Sequence, residues 1–304
     1  MDSPTVNGYS VSGLVSVIIP VFNSEQYINK TIDSVLGQTY RHVEIIVVND
    51  GSTDKTGELI RSYKEDSIIC IEQKNKGVSA ARNLGFRAAK GEFVIFFDSD
   101  DIMQPEFVSA RVEALSEFTF FDFVCGHIRK IDEKGVFIDK LFKAACIDIE
   151  KEILTFRSDV ITCPSNYMFR RDAMLKKQMN FNEALASSAD RFFLLDVSKH
   201  FKGLMLRSEQ SQLHYRYRAN SMSNRLTYHL IKDNELFFEL IINKIKPEGV
   251  LRRVFLSKSK YILAGAYFRI GYLGKSFKFA VASFLYHPLN FFRTIFKIKT
   301  MYIP

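Results

Sequence analysis

Four short apolar runs alternate with four amphipathic segments in the first 120 residues, and this alternation restricts the fold more than any other feature. Residues 15–21, 43–49, 68–71 and 91–97 are β-favouring and apolar on both faces, the pattern of strands covered on both sides. After the first run, Ile28, Ile32, Val35 and Leu36 share one helical face, with Asn23 or Ser24 as cap and Gly37 as stop. Ser52 or Asp54 can cap a second helix, and the loop at 75–83 enters a third that Gly91 closes. Short links between alternating strands and helices predict an α/β fold whose parallel sheet has right-handed crossovers. Further on, the pattern predicts a helix over 105–118 and a hairpin from 121–131 and 136–139. A helix over 188–200 follows, with Asp190 in its first turn, then strands at 203–207 and 211–217. That half reads as an antiparallel addition beside the parallel one, and the pattern beyond Asn224 is helical.

The fourth run ends in Asp98, Ser99, Asp100 and Asp101, three carboxylates in four residues. Ligands of open α/β sheets sit at the carboxyl ends of strands, where these acids fall. Like charges on one turn repel, and a hard dication such as Mg²⁺ or Mn²⁺ removes that cost. The alternative is an acid-rich helix start ahead of Pro105, which suits the helix dipole. No GxGxxG follows the first strand and no GxxxxGK[ST] occurs, which excludes the common dinucleotide and P-loop enzymes. The strand ends instead offer an aromatic that can stack on a base, a carboxylate for a base N–H, an arginine for phosphate and an acid pair for a metal. Together they describe a nucleoside-diphosphate site without a glycine loop.

The motifs Val-Ser-Val-Ile-Ile-Pro-Val-Phe-Asn at 15–23, Val-Val-Asn-Asp-Gly-Ser-Thr-Asp at 47–54, Asn-Lys-Gly-Val-Ser-Ala-Ala-Arg-Asn at 75–83 and Phe-Phe-Asp-Ser-Asp-Asp at 96–101 resemble the family 2 glycosyltransferases. The likeness returns at 181–190 and 215–223. It implies the GT-A fold: a Rossmann-like parallel sheet sandwich with an antiparallel acceptor-side addition and, here, a C-terminal helical extension. It also implies inverting transfer of a sugar from a nucleotide donor, UDP by resemblance, to a hydroxyl of a glycan or lipid-linked saccharide in bacterial surface polysaccharide synthesis. By position, Pro20, Val21, Phe22 and Asp50 form the base pocket, and Arg82 neighbours base or diphosphate. Asp98 reaches the ribose and Asp100 the Mn²⁺ or Mg²⁺ ion, with Asp98 as second ligand, Ser99 beside them and Asp101 shaping the turn. Lys76 joins the donor site, with a plain surface lysine as its alternative. Asp190 is similar to the catalytic base, although Ala189 stands where the family often has a second acid, and Phe22 stands where tyrosine is frequent. Arg218 and Ser221 can grip diphosphate or acceptor on a loop, and His214 reads as an interior strand histidine rather than a metal ligand. A polyprenyl-phosphate glycosyltransferase and a silent sugar-nucleotide-binding protein are the alternatives. No QxxRW signature or flanking span points to a processive enzyme.

The implied organisation is a flexible lead at 1–13, a nucleotide-sugar half at 14–104, an acceptor half at 105–225 and a basic helical extension at 226–304. No signal peptide or membrane span is evident, and Cys70, Cys125, Cys146 and Cys163, without a CxxC pair, read as buried thiols of a reducing cytoplasm. The net charge is +8, yet residues 243–304 hold twelve Lys/Arg and one acid, leaving −3 for the rest. Nothing in that tail matches a nucleic-acid motif. Phe277, Val281, Phe284 and Leu285 share one face beside Lys275 and Lys278, and Phe291, Phe292, Ile295 and Phe296 form a second strip after Pro288. Basic amphipathic helices of this kind can lie on an anionic membrane surface, which predicts a cytoplasmic, peripheral protein. The alternative is a helical cap packed on the enzyme.

Overall fold

The computed structural model describes residues 10–144, 146, 148–156, 160–208, 211–218, 226–289 and 291–292. The parallel half runs β1 (Val11–Val21), α1 (Ile28–Leu36), β2 (Val43–Asn49), α2 (Thr56–Ser62), β3 (Ile68–Glu72), α3 (Val78–Ala88) and β4 (Gly91–Phe96). It continues through β5 (Ile102–Met103), α4 (Phe107–Glu117), β6 (Phe123–Cys125), β7 (Ile128–Ile131), β8 (Phe137–Ala144), α5 (Ile149–Leu154), β9 (Val160–Ile161), β10 (Tyr167–Arg170) and α6 (Arg171–Lys176). Then come α7 (Ala189–His200), β11 (Gly203–Met205), β12 (Leu213–Arg216), α8 (Tyr228–Leu240), α9 (Gly249–Arg269) and α10 (Leu273–Tyr286).

A seven-stranded sheet has the order β11-β6-β10-β4-β1-β2-β3, and a five-stranded sheet the order β5-β12-β7-β8-β9. Strands β1 to β4 pair in parallel, while β10 runs antiparallel to both β4 and β6. Side chains alternate across the pleat. Val17, Ile19, Ile45, Val47, Phe93 and Ile95 therefore meet α1 and α4 on one face. Ile18, Ile46, Val48, Val94 and Phe96 meet α3 and α7 on the other. Both layers are needed because the central strands are apolar on both sides.

Several local expectations change. Residues 121–131 are not one hairpin arm: the chain breaks at Gly126, so β6 joins the large sheet and β7 the small one. Only β7 and β8 form the hairpin, with Ile131 opposite Phe137. Gly91 does not close a helix; it is the first residue of β4, where an added Cβ would lie 2.6 Å from the Leu14 carbonyl and 2.7 Å from Ser16 Oγ. Neither Asn23 nor Ser24 caps α1 with its side chain, since the helix begins at Ile28. At α2 it is Asp54 whose carboxylate accepts from Thr56 N–H at 3.0 Å. Cys70 is exposed because β3 is an edge strand, whereas the other three thiols are buried.

The tail divides. Ile231, Phe237 and Phe238 of α8 and Phe255, Leu263 and Tyr267 of α9 enter the same core as the Ile18 face of the sheet. Helix α10 packs on α9 through Phe279, stacked on the Tyr267 ring at 5.7 Å, and through serines: Ser283 Oγ donates to the Ser257 carbonyl at 2.7 Å and Ser276 Oγ to the Ala264 carbonyl at 2.9 Å. Among the described residues no helix is long and apolar enough to cross a membrane. Of the second apolar strip, Ile295 and Phe296 lie outside the described residues.

Candidate active site

The carboxyl ends of β1, β2 and β4 open on one cavity of about 480 Å³. Pro20, Val21 and Phe22 line it from the end of β1, Asp50 from the end of β2, and Asp98, Ser99 and Asp100 from the turn after β4. Arg82 reaches it from α3, Asp190 from the first turn of α7, and Arg218 from beyond β12. Lys76 does not line the cavity; its side chain is exposed, and its backbone N–H donates to Asp50. Ser221 lies outside the described residues. His214 also lies away from the cavity, edge-on to the Phe137 ring, and burial, with Arg129 adding to it, lowers its pKa.

Asp50 is nearly enclosed and holds the neighbouring loop. It accepts from Gln73 Nε2 at 2.6 Å and from the backbone N–H groups of Lys76 and Gly77, each at 2.8 Å. Phe22 keeps 46% exposure at the mouth, leaving its ring face open to a flat partner.

Arg82 joins the two halves. Its guanidinium, 2% exposed as a residue, donates to Asp190 at 2.6 Å and to Asp98 at 2.6 Å, and lies 4.9 Å from the centre of the Phe181 ring. One planar fork spans both acids, so the bonded carboxylate oxygens are no more than about 8 Å apart. Burial alone would weaken the arginine's charge, but Asp190 and then Asp98 hold its pKa above the ordinary value. Burial pushes Asp190 up; Arg82 opposes the rise and Asp98 adds to it. Next along α3, Asn83 pairs both ways with the backbone of Phe181, at 2.9 Å each, and so docks the segment that carries Asp190.

The acidic turn is rigid. Ser165 Oγ accepts from Asp98 N–H at 2.9 Å, and Thr31 Oγ1 donates to the carbonyls of Ser99 and Asp101 at 3.0 Å each. Ser99 Oγ sits 2.9 Å from Ser24 Oγ. Asp100 pairs with Arg218 Nε at 2.8 Å, and burial, offset by Arg218 and reinforced by Asp98, pushes its pKa up to about 6. Asp101 is fully buried behind the turn, accepting from Arg216 N–H at 3.0 Å with Cys163 Sγ 3.4 Å away. Among the described residues, Asp98, Asp101 and Cys163 form the one trio of metal-ligand type whose atoms lie within 4.8 Å of one another. Asp101 and Cys163 do not line the cavity, however, and burial raises the Cys163 pKa well above a thiol's usual value. Of the three acids on this turn, Asp98 and Asp100 line the cavity.

Asp233 of α8 carries almost no signal in the sequence. It takes Ala186 N–H at 2.7 Å on one oxygen, and Ser187 Oγ, Ser188 N–H and Ser188 Oγ at 2.7–3.0 Å on the other. It thereby fixes the turn that leads into Asp190, and the one cue to it is an acid on the first helix after the 215–223 motif. Arg216, at the end of β12, is buried, and its side chain ties the carbonyls of Asp100, Asp132 and Glu133 together. A wider depression of about 670 Å³ near Asp54 and the exposed Arg61–Glu72 pair has none of Asp50, Asp98, Asp100 or Asp190 on its walls, so the smaller cavity is the candidate site.

Comparison with known proteins agrees with this geometry. The chain matches the glycosyl transferase family 2 profile over residues 16–176. The glycosyltransferase GlyA of Streptococcus pneumoniae serotype 4 is 41% identical over 130 residues, covering 42% of this chain and 18% of that protein. EpsJ of Bacillus subtilis, named an uncharacterized glycosyltransferase, is 29% identical over 217 residues, covering 69% of this chain and 63% of its own length. The chain thus spans less than two thirds of either relative. S. aureus TarS 1-349 in complex with UDP-GlcNAc superimposes with a TM-score of 0.62 at 19% identity, over 90% of this chain and 91% of that one. The mannosyltransferase PcManGT of Pyrobaculum calidifontis, in complex with GDP-Man and Mn²⁺, gives 0.60 at 15% identity over 94% and 79%. These likenesses show a shared α/β architecture of the GT-A kind.

Proposed function

The chain belongs to glycosyl transferase family 2, and from that premise we propose that it transfers a sugar, with inversion, from a nucleotide-diphosphate donor to an acceptor hydroxyl. The donor is of the UDP type, the acceptor a glycan or lipid-linked saccharide of a bacterial surface polysaccharide. The observation that carries this reading is one cavity lined by Asp50, Asp98, Asp100 and Asp190, with a single arginine bonded to the second and fourth.

In this mechanism Phe22 stacks on the base and Asp50, already holding its loop, accepts a base N–H with a remaining lone pair. The hard oxygens facing the cavity suit Mn²⁺ or Mg²⁺, so Asp98 and Asp100 would hold the ion, which when bound neutralises charge on the diphosphate. Arg218, already beside Asp100, supplies a guanidinium suited to phosphate oxygens. Asp190 takes the proton of the acceptor hydroxyl as the acceptor oxygen bonds to the anomeric carbon. The bond from that carbon to the phosphate oxygen breaks, and its electron pair leaves with the nucleoside diphosphate. A base whose pKa is raised, yet which Arg82 keeps ionisable, fits that task.

A thermal-shift screen of nucleotide sugars with Mn²⁺, followed by the anomeric configuration of the product, tests the reading. The expected outcome is stabilisation by one nucleotide-sugar class and an inverted product. Asp190→Asn should lower transfer by about 10²–10⁴-fold while donor affinity stays within a few-fold of wild type. Turnover near wild type in that variant would remove Asp190 from the role of base.

A further inference from the structure

Helix α10 is amphipathic the wrong way round for a helix that caps a core. The side it turns to α9 carries Ser276, the fully buried Ser283 and one large residue, Phe279, stacked on Tyr267. Apart from Phe279, its bulky residues face outward: Phe277 and Leu285 are each 72% exposed and Leu273 62%, with Val281 and Phe284 also exposed between them. At 100° per residue these five fall within about a third of the helix circumference, so they form one continuous apolar face. A soluble chain gains nothing by holding such a face in water, since burying a single large apolar side chain is worth about 1.5–3 kcal/mol.

Charge identifies what covers it. Lys278 borders the apolar face, Lys275 stands exposed further round the helix with its ammonium 4.9 Å from the centre of the Tyr267 ring, and Tyr272 and Tyr286 stand exposed at the two ends of the helix. No acid follows Glu248, while residues 249–304 contain ten Lys/Arg. A second copy of this chain would bring the same positive surface against itself, so self-association through this face is opposed electrostatically. Exposed apolar side chains flanked by lysines and tyrosines, on a segment that carries no acid of its own, match the boundary between headgroups and acyl chains of an anionic bilayer. We infer that the Leu273–Phe277–Val281–Phe284–Leu285 face of α10 seats the protein on an anionic lipid surface, lying in its plane rather than crossing it. Helix α9, packed on the main core, couples that seat rigidly to the rest of the molecule. The inference stands apart from the transfer chemistry, because its test needs no substrate.

The full chain is sedimented with phosphatidylcholine vesicles, with or without about a third phosphatidylglycerol, at near-physiological salt. The expected result is pelleting with the anionic vesicles alone, lost in high salt. Lys275→Gln with Lys278→Gln should lower partitioning by about 25-fold, roughly fivefold per charge. Phe277→Ser with Leu285→Ser should lower it by more than about tenfold, and Lys64→Gln with Lys74→Gln should leave it unchanged. Both pairs to be replaced on α10 are exposed, and a melting temperature matching wild type checks the fold. No pelleting with anionic vesicles, or equal pelleting of wild type and Phe277→Ser/Leu285→Ser, overturns the inference. So does light scattering that shows a dimer dissociated by Phe277→Ser/Leu285→Ser, since the face would then be an interface between copies.

Discussion

Asp100→Asn probes the strain of concentrating acids at the end of β4. Burial, the largest cause, lifts the Asp100 carboxyl to about 6 against an ordinary 3.8, with Arg218 opposing and Asp98 reinforcing. A folded pKa above the unfolded one means that the neutral form favours folding. That contribution is complete below about pH 3.8 and is lost as pH rises through 6, so at pH 8 the ionised group opposes folding. A rise from 3.8 to about 6 is equivalent to about 2–3 kcal/mol. Asparagine cannot ionise, and the Arg218 it leaves behind is partly exposed and can be hydrated. Without divalent ions, Asp100→Asn should therefore melt about 3–8 °C above wild type at pH 8. The difference should shrink towards zero near pH 4. The assay is thermal unfolding of both proteins across pH 4–8 in EDTA, read as the difference at each pH. A difference that is independent of pH, or a variant less stable at pH 8, would refute the reasoning. The same substitution should abolish any extra stabilisation by Mn²⁺ with nucleotide that wild type gains above pH 6.

Asp233→Asn turns an NH₂ group towards donors, which costs about 1–3 kcal/mol locally; exchange of the Ala186 and Ser188 amides should quicken by about 5- to 150-fold, and unchanged protection would show that the turn holds itself. Arg82→Lys keeps one charge but cannot span Asp98 and Asp190 with a planar fork, so kcat should fall by at least about tenfold with a smaller change in nucleotide affinity; full activity in steady-state kinetics would show the bridge to be dispensable. Gly85→Ala would bring a Cβ to 2.3 Å from Ile18 Cγ2, and urea unfolding should show a loss of about 1–3 kcal/mol, whereas a neutral result would mean that α3 can lift off the sheet freely.

The parallel half is legible because its strands are apolar on both faces and its polar residues cluster where those strands end. Periodicity locates β1, β2 and β4, and topology then brings their carboxyl ends together at one cavity. Other features depend on contacts between distant segments. Nothing local announces that residues 121–131 serve two sheets; the break at Gly126 faces Arg111, which would lie 3.0 Å from an added Cβ there. Position in the motif puts Arg82 near phosphate or base, and only the docking of 181–190 onto α3 reveals Asp190 as its partner. In the tail, the helical pattern of α10 locates the apolar face. It cannot say which face is buried, a choice made by the contacts of Ser283 and Phe279 with α9.

The contributions of α8 to the core, and of its Asp233 to the turn before Asp190, limit how this chain can be cut and recombined. The segment that matches the family ends at residue 176, yet a protein trimmed there would lack both Asp190, the proposed proton acceptor, and Asp233, which fixes the turn before it. Chimaeras that exchange acceptor preference between relatives would need their junction beyond α9. A crossover between 218 and 228 would separate a loop from its anchor.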